Sequence, residues 1–550
     1  MRLPVPPRPR RAARSSRVLR PAALVATLLL LLGTTSGNAA AARSVVYAQI
    51  EGTGSTWSQL IVEQWIADVE ATGMRVAYTG GGSSLGRKNF AQGSTDFAIS
   101  EIPYQGVDEF GNADTAGNRQ FAYLPIVAGG TAFTYQLKVG NQQVRNLRLS
   151  GDTIAKIFTN QITSWDDPAI KADNNGRTFP KIPITPVVRA DGSGTTAQFT
   201  AWLAARHGST WKSLFPRGTL TSYFPREGRA IAQAGSDQVM NTVASSSGNG
   251  TIGYVEYSYP VNEDYPVVKV LNEGGYYVEP TQYNVAVALT QARIKTEDPS
   301  ASDYLTQDLR GVYAATDPRA YPLSSYSYMI IPVGAQDRRM TTAKRQTLVD
   351  FMYYSLCQGQ TKAGPYGYSP LPLNLVQAGF TQLARLGTAD SGVELANRDV
   401  RSCNNPTFNG RNLNENRLAT VAPAPAACDR QGAGPCGTDT GTGEPSTDDP
   451  AAGGSGGAAG GGGTATGPAG AGTGTAPVAA DVQVDPTTGQ PVAAAATGGG
   501  AVFANPLELT SDRPGDRGPF AWVVAAEVLA LVFLPAMITV WLRRRQQASR

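Results

Sequence analysis

The stretch Val188-Arg189-Ala190-Asp191-Gly192-Ser193-Gly194-Thr195-Thr196 lies where a hydrophobic, strand-like run (Ile182 to Val188) gives way to a helical pattern (Ala197 to Ala205). A strand that ends in an arginine, two glycines and a cluster of hydroxyls, with a helix directly behind it, is an α/β junction. Its glycines let backbone approach a ligand. The first turn of the following helix leaves amide N–H groups without intrahelical partners. With Arg189 as a fixed cation, the segment suits a small tetrahedral anion.

Outward from it, the same logic recurs. Gly52-Thr53-Gly54-Ser55-Thr56-Trp57 precedes a helical pattern that begins near Ser58. Gly80-Gly81-Gly82-Ser83-Ser84-Leu85-Gly86 follows the strand-like Met74 to Thr79 and enters the helical run Arg87 to Ala91. Asp96-Phe97-Ala98-Ile99-Ser100-Glu101 reads as a strand ending in a hydroxyl and a carboxylate. Any one glycine-rich turn has a plain alternative, a helix start with Ser or Thr as its cap. Several together favour a shared anion site. Elsewhere strand-like runs (Val76 to Thr79, Ile252 to Tyr257, Tyr328 to Val333) alternate with helical ones (Gln59 to Thr72, Thr153 to Phe158, Lys344 to Leu356), which predicts an α/β architecture.

Two enzymatic readings compete with binding. A nucleotide P-loop is excluded, because Gly192 to Thr196 lacks the lysine that motif requires. Gly82-Ser83-Ser84-Leu85-Gly86 matches G-x-S-x-G, so Ser84 is a formal nucleophile candidate. His207, the single histidine of the chain, would have to be its base, and it sits at a polar helix end. Glu101 carries a sharper implication. An ionised carboxylate only accepts hydrogen bonds, so opposite an anion it would favour one that still carries a proton, phosphate over sulfate. The plain alternative is a solvated carboxylate at a strand end.

Composition places the chain. Residues 1–42 hold seven arginines and no acid, followed by an apolar run from Ala22 to Leu32 and small residues at Ala39 to Ala42, the pattern of a secretory signal peptide. Residues 520–542 form a second apolar stretch, followed by Arg543-Arg544-Arg545, and are expected to span a membrane with residues 543–550 as a basic cytoplasmic tail. The formal charge is +4 overall, +7 in residues 1–42 and +3 in 520–550, leaving −6 for 43–519. That excludes nucleic acid as an electrostatic partner of the exported part. No cysteine precedes Cys357, so a lipid anchor at the signal junction is excluded. Cys357, Cys403, Cys428 and Cys436 all lie on the exported side and predict two disulfides. Three pairings are open, and the reading leans to Cys357–Cys403 with Cys428–Cys436. A metal site is not expected with a single histidine. Residues 386–436 form a cysteine-bearing extension. Residues 437–505, rich in Gly, Ala, Thr and Pro, read as a flexible linker.

The quoted loops, together with Ile162-Thr163-Ser164-Trp165-Asp166-Asp167-Pro168-Ala169-Ile170 and Gly250-Thr251-Ile252-Gly253-Tyr254-Val255-Glu256-Tyr257, resemble the periplasmic phosphate-binding protein of bacterial phosphate ABC importers (PstS type) over roughly residues 46–385. The resemblance implies a two-lobed, type II-like periplasmic-binding-protein fold around a ligand cleft. One lobe would comprise residues 46–124 and 323–385, the other 125–322. It implies inorganic phosphate as ligand, an ABC permease as partner, a monomer, no cofactor and no catalysis. The phosphate contacts it implies are Thr56, Trp57 (through its amide), Ser83, Glu101, Arg189, Ser193, Gly194 and Thr195. Ser84 and Asp191 would support them, Asp191 by orienting Arg189. Two positions depart from the family: Trp57 stands in place of Phe, and Glu101 in place of Asp, which moves the carboxylate by about one C–C bond length. From another class, the same fold could serve as a tethered sensory or interaction module of the cell envelope with weak or altered oxyanion binding, a reading that rests on Glu101 and the long extension.

Overall fold

The computed structural model describes residues 46–395 and 399–437, all within the first of two units into which the chain divides, Met1–Thr466. The expected signal peptide, linker, membrane span and basic tail lie outside the described residues. Among the described residues no helix is long and apolar enough to cross a membrane.

Eight strands form one mixed sheet: β1 (Ile50–Gly54), β2 (Val76–Gly80), β3 (Phe97–Ser100), β4 (Phe121–Tyr135), β5 (Thr185–Arg189), β6 (Ile231–Gln233), β7 (Thr251–Glu256) and β8 (Ser324–Pro332). Their order is β6-β5-β7-β4-β8-β3-β1-β2. Each flank is parallel, β3-β1-β2 on one side and β7-β5-β6 on the other. The long antiparallel strands β4 and β8 join them: β4 pairs with β8 from Phe121 to Gly130, then with β7 from Thr131 to Tyr135. The α/β expectation is met, by one mixed sheet.

β4 is legible only in hindsight. Its sequence carries Pro125 and Gly129-Gly130, which ordinarily argue against a central strand. Pro125 lies opposite Tyr328, where the β8 register shifts, so its missing N–H falls at an irregularity in the ladder. A side chain at Gly129 would come within 2.7 Å of both Glu256 and Trp57, so the glycine permits close packing of the two flanks.

Helices α1 (Gln59–Glu70), α2 (Ser83–Ala91), α3 (Gly194–Arg206) and α4 (Gly235–Ala244) follow β1, β2, β5 and β6. Each therefore starts at the carboxyl end of a parallel strand, where open α/β sheets place their ligands. α3 is held by an aromatic cluster. Phe199 lies 5.0 Å from Tyr254 and stacks on Phe224 at 5.8 Å. On the other flank α1 buries Ile61, Val62 and Trp65, with the Trp65 indole donating to the Gly359 carbonyl at 2.9 Å. Fixed this way, the helix starts are rigid platforms. α5 (Thr342–Leu356) and α6 (Leu373–Ala389) complete the β3-β1-β2 side. The cysteines pair as Cys357–Cys403 and Cys428–Cys436.

Candidate functional site: an oxyanion cleft between the two flanks

Arg189 ends β5 and is almost wholly buried. Its Nε donates to Asp191 Oδ1 at 2.8 Å and its Nη2 to Asp191 Oδ2, a bidentate fork. Nη1 reaches Thr195 Oγ1 at 3.4 Å and Ser236 Oγ at 3.2 Å. Burial works against the Arg189 charge, but Asp191 overrides it and raises the pKa, so the guanidinium stays cationic in a desolvated place. Asp191 also accepts the Gly235 amide at 3.0 Å. Ser193 caps α3 by accepting the Thr196 amide at 3.2 Å. Thr196 bonds Tyr254 Oη at 2.8 Å, and that oxygen accepts the Arg189 amide at 3.3 Å.

From the opposite flank come Thr56, Ser83 and Glu101. Thr56 Oγ1 lies 3.0 Å from Ser236 Oγ and accepts the Ser236 amide at 3.2 Å, so the starts of α1 and α4 are joined directly. Ser83 donates to Glu101 Oε2 at 2.7 Å, and Ser327 of β8 donates to Oε1 at 2.9 Å. Glu101 is 0 % exposed, which replaces the solvated-carboxylate alternative with a buried, doubly hydrogen-bonded group. The Trp57 amide is engaged inside its own loop, donating to Ser55 Oγ at 2.9 Å. That differs from the expected ligand contact. The Trp57 ring packs edge-on against Tyr368 at 5.8 Å.

The two walls meet. The Ser84 amide donates to the Gly192 carbonyl at 3.0 Å. A Cβ on Gly194 would sit 1.9 Å from Glu101 Oε2 and 2.4 Å from Ser83 Oγ, and a Cβ on Gly82 would sit 2.4 Å from Asp191 Oδ2. Gly82 also has a φ of 90°, open chiefly to glycine. The longer Glu101 side chain is thus accommodated by the absence of one at Gly194. Thr56, Ser83, Ser84, Glu101, Arg189, Asp191, Ser193, Gly194 and Thr195 thus come together where the two flanks meet, with Trp57 in the adjoining loop.

The charges at this point can be weighed. Two carboxylates, one guanidinium and four helix starts worth about half a charge each leave roughly +1 in total. A monoanion would be neutralised there. A dianion would leave about one negative charge in excess, wherever its proton sits.

The hydrolase reading is not assembled. Ser84 Oγ is buried without a partner among the described residues, beside the start of α3. His207 follows the other end of that helix, about 20 Å away at 1.5 Å per residue, with its ring 4.6 Å from Trp202. Burial also lowers the pKa of His207.

Sequence reading missed Ser236, Ser327 and Tyr254. Ser236 had a usable signal: Gly235-Ser236 is another glycine–hydroxyl pair between strand and helix. Ser327 and Tyr254 had none: Ser327 is one of three serines in β8, and Tyr254 one of several polar residues in β7, with nothing local to single either out.

The PBP superfamily domain matches residues 39–358. The phosphate-binding protein PstS of Methanocaldococcus jannaschii is 28% identical over 340 residues, 60% of this chain and 84% of that protein. The phosphate-binding protein PstS2 of Mycobacterium bovis is 30% identical over 330 residues, 59% of this chain and 83% of that protein. A solved structure of a phosphate-binding protein from Stenotrophomonas maltophilia has a TM-score of 0.47 at 16% identity, covering 63% of this chain and 99% of that one. The chain belongs to the PBP superfamily and, within it, to the PstS-type phosphate-binding proteins.

Proposed function

We propose that this protein binds inorganic phosphate outside the cytoplasm and hands it to an ABC importer, without catalysing a reaction. The observation that carries this reading is Arg189, locked by Asp191 just before α3, on a loop whose Gly194 lies directly against Glu101 of the other flank. Arg189 Nη1 and the first-turn amides of α3 would donate to phosphate oxygens, with the Thr56, Ser193 and Thr195 hydroxyls around them. Glu101, whose two oxygens accept the Ser83 and Ser327 hydroxyls, would accept the ligand's proton. Because Ser83 already spends its hydroxyl hydrogen on Glu101, its oxygen would face the ligand as an acceptor too. A fully protonless tetrahedral anion would meet two acceptors there and be rejected.

The two flanks would act as the lobes, 46–124 with 323–385 and 125–322, closing over the ion. An N-terminal export signal, a linker over 437–505 and a membrane span at 520–542 would present a monomer at the outer face of the membrane. The sensory-module alternative rested on Glu101 and the extension. The burial of Glu101 and its two donors instead suit proton recognition, and the relatives' names support phosphate binding. Titration calorimetry with phosphate tests the reading: Arg189→Met should abolish saturable binding, and retention of wild-type affinity in that variant would sink it.

A further inference from the structure

We infer that the hairpin Gly106–Asp114 is a clasp across the cleft mouth that slows ligand release, with Glu109 as its positioning residue. The inference rests on the phosphate-binding reading above.

The hairpin leaves the β3-β1-β2 flank between β3 and β4, and its two short strands pair antiparallel at Gly106–Asp114 and Val107–Ala113. Its base is anchored on its own flank. Asp114 accepts Arg87 Nε and Nη2, both at 3.0 Å, and the Gln105 amide at 3.1 Å. Arg87 sits one helical turn beyond Ser83 on α2, and its Nη1 donates to Ser100, the neighbour of Glu101, at 3.0 Å. The tip is preformed: Asp108 Oδ1 accepts the amides of Phe110 at 3.0 Å and Asn112 at 2.7 Å.

The tip binds the opposite flank. Glu109 Oε1 accepts the Ser222 amide and, at 3.2 Å, the Thr221 hydroxyl. The Glu109 carbonyl accepts Arg217 Nη1 at 3.2 Å. The Phe110 ring meets Tyr223 edge-on at 4.9 Å. Ser222 in turn accepts the Ser193 amide at 2.9 Å, and Ser193 caps the helix of the anion loop. The Tyr223 hydroxyl lies beside Gly192, on the same side as Ser84. Glu109 therefore holds one of the residues that brace the anion loop.

What the tip does not do matters equally. Phe110 is 67% exposed and Val107 60% exposed, so neither is core material for its own flank. The tip's contacts with Arg217 to Tyr223 all cross the cleft, and separation of the flanks must break them. Contacts made only in the closed state lower the release rate, since affinity changes fall mainly on dissociation.

The test is stopped-flow release of inorganic phosphate from the full chain. Glu109→Ala should raise the release rate about ten-fold or more, the loss expected for a charge-assisted hydrogen bond, and Phe110→Ala about three-fold or more, as for an exposed edge-on aromatic contact. The association rate should stay within about two-fold, and the melting midpoint without phosphate should be unchanged. Glu109→Gln keeps an acceptor oxygen and should recover part of the slow release. Wild-type release rates in both alanine variants would overturn the clasp. So would faster release accompanied by a lower melting midpoint without phosphate, the mark of a merely structural role. Absence of phosphate binding to the wild-type chain would sink the binding reading and the clasp with it, whereas normal binding with unaltered release sinks the clasp alone.

Discussion

At the scale of single residues, the site works by letting polar groups approach one another more closely than side chains normally permit. Gly194 shows this most sharply. A methyl group there would lie 1.9 Å from Glu101 Oε2, a contact that only movement of one wall could relieve. Gly194→Ala should therefore cost about ten-fold or more in phosphate affinity, by the energy of forced overpacking. Calorimetry checks this, and unchanged affinity would mean that the cleft functions without this closed contact. Glu256, at the end of β7, is a second case. It is 0 % exposed, its Oε2 accepts the Ser258 amide at 2.5 Å, and its Oε1 has no partner among the described residues. Burial pushes its pKa well above the usual carboxylate range. The neutral acid is thus the form the fold prefers, and its contribution is complete below the unfolded carboxyl pKa of about 4.3. That contribution is lost as pH rises through the folded value. Urea melts of Glu256→Gln should match the wild type near pH 4 and exceed it at pH 8, by about 1–3 kcal/mol for a buried group left unsatisfied. Parallel pH curves for the two proteins would contradict it.

At the scale of elements, what the sequence made readable was each junction of a strand with a glycine–hydroxyl turn and a helix. Composition and hydrogen-bonding geometry coincide there: Gly82, Ser193 and Gly194 are needed where they stand. The strand runs at Val76, Ile252 and Tyr328 were readable because their apolar patterns are local. Three things were not. β4 hides behind Pro125 and its glycine pair, whose reasons lie in distant partners: Tyr328 opposite Pro125, and Trp57 and Glu256 against Gly129. Ser327 meets Glu101 only because β8 returns beside β3. The extension after α6 has no periodicity, and its place is decided by individual bonds. Asn405 Nδ2 donates to the Leu371 carbonyl at 2.9 Å, and Cys403 is tied to Cys357 at the end of α5. Farther along, Arg148 donates to the Cys428 carbonyl at 3.0 Å, and Asp429 pairs with Lys269 at 2.6 Å with both side chains buried. The extension thus fastens first near α5 and then to the strand Lys269–Leu271. Lys269→Met would leave the Asp429 charge buried and unpaired, at a cost of about 3–5 kcal/mol. A shift of the urea midpoint measures it, and a loss below about 1 kcal/mol would show that Asp429 finds water instead.

At the scale of the whole molecule, the two parallel flanks each bring helix starts and hydroxyls to the same point, joined by β4 and β8 behind it. The cation and the anion loop come from one side, Glu101 with its two serine donors from the other. On the proposed reading, a ligand that satisfies both is small, tetrahedral and protonated, and Glu101 is where selectivity should be tested. In Glu101→Gln the amide keeps an acceptor but loses the charge that repels a protonless dianion, so sulfate should gain relative to phosphate. The most direct test is a calorimetric titration of the purified full chain with inorganic phosphate and, separately, with sulfate at neutral pH. Expected are saturable one-to-one binding of phosphate, none of sulfate, and no saturable phosphate binding in Arg189→Met. No saturable phosphate binding, or sulfate binding equally well, would contradict it.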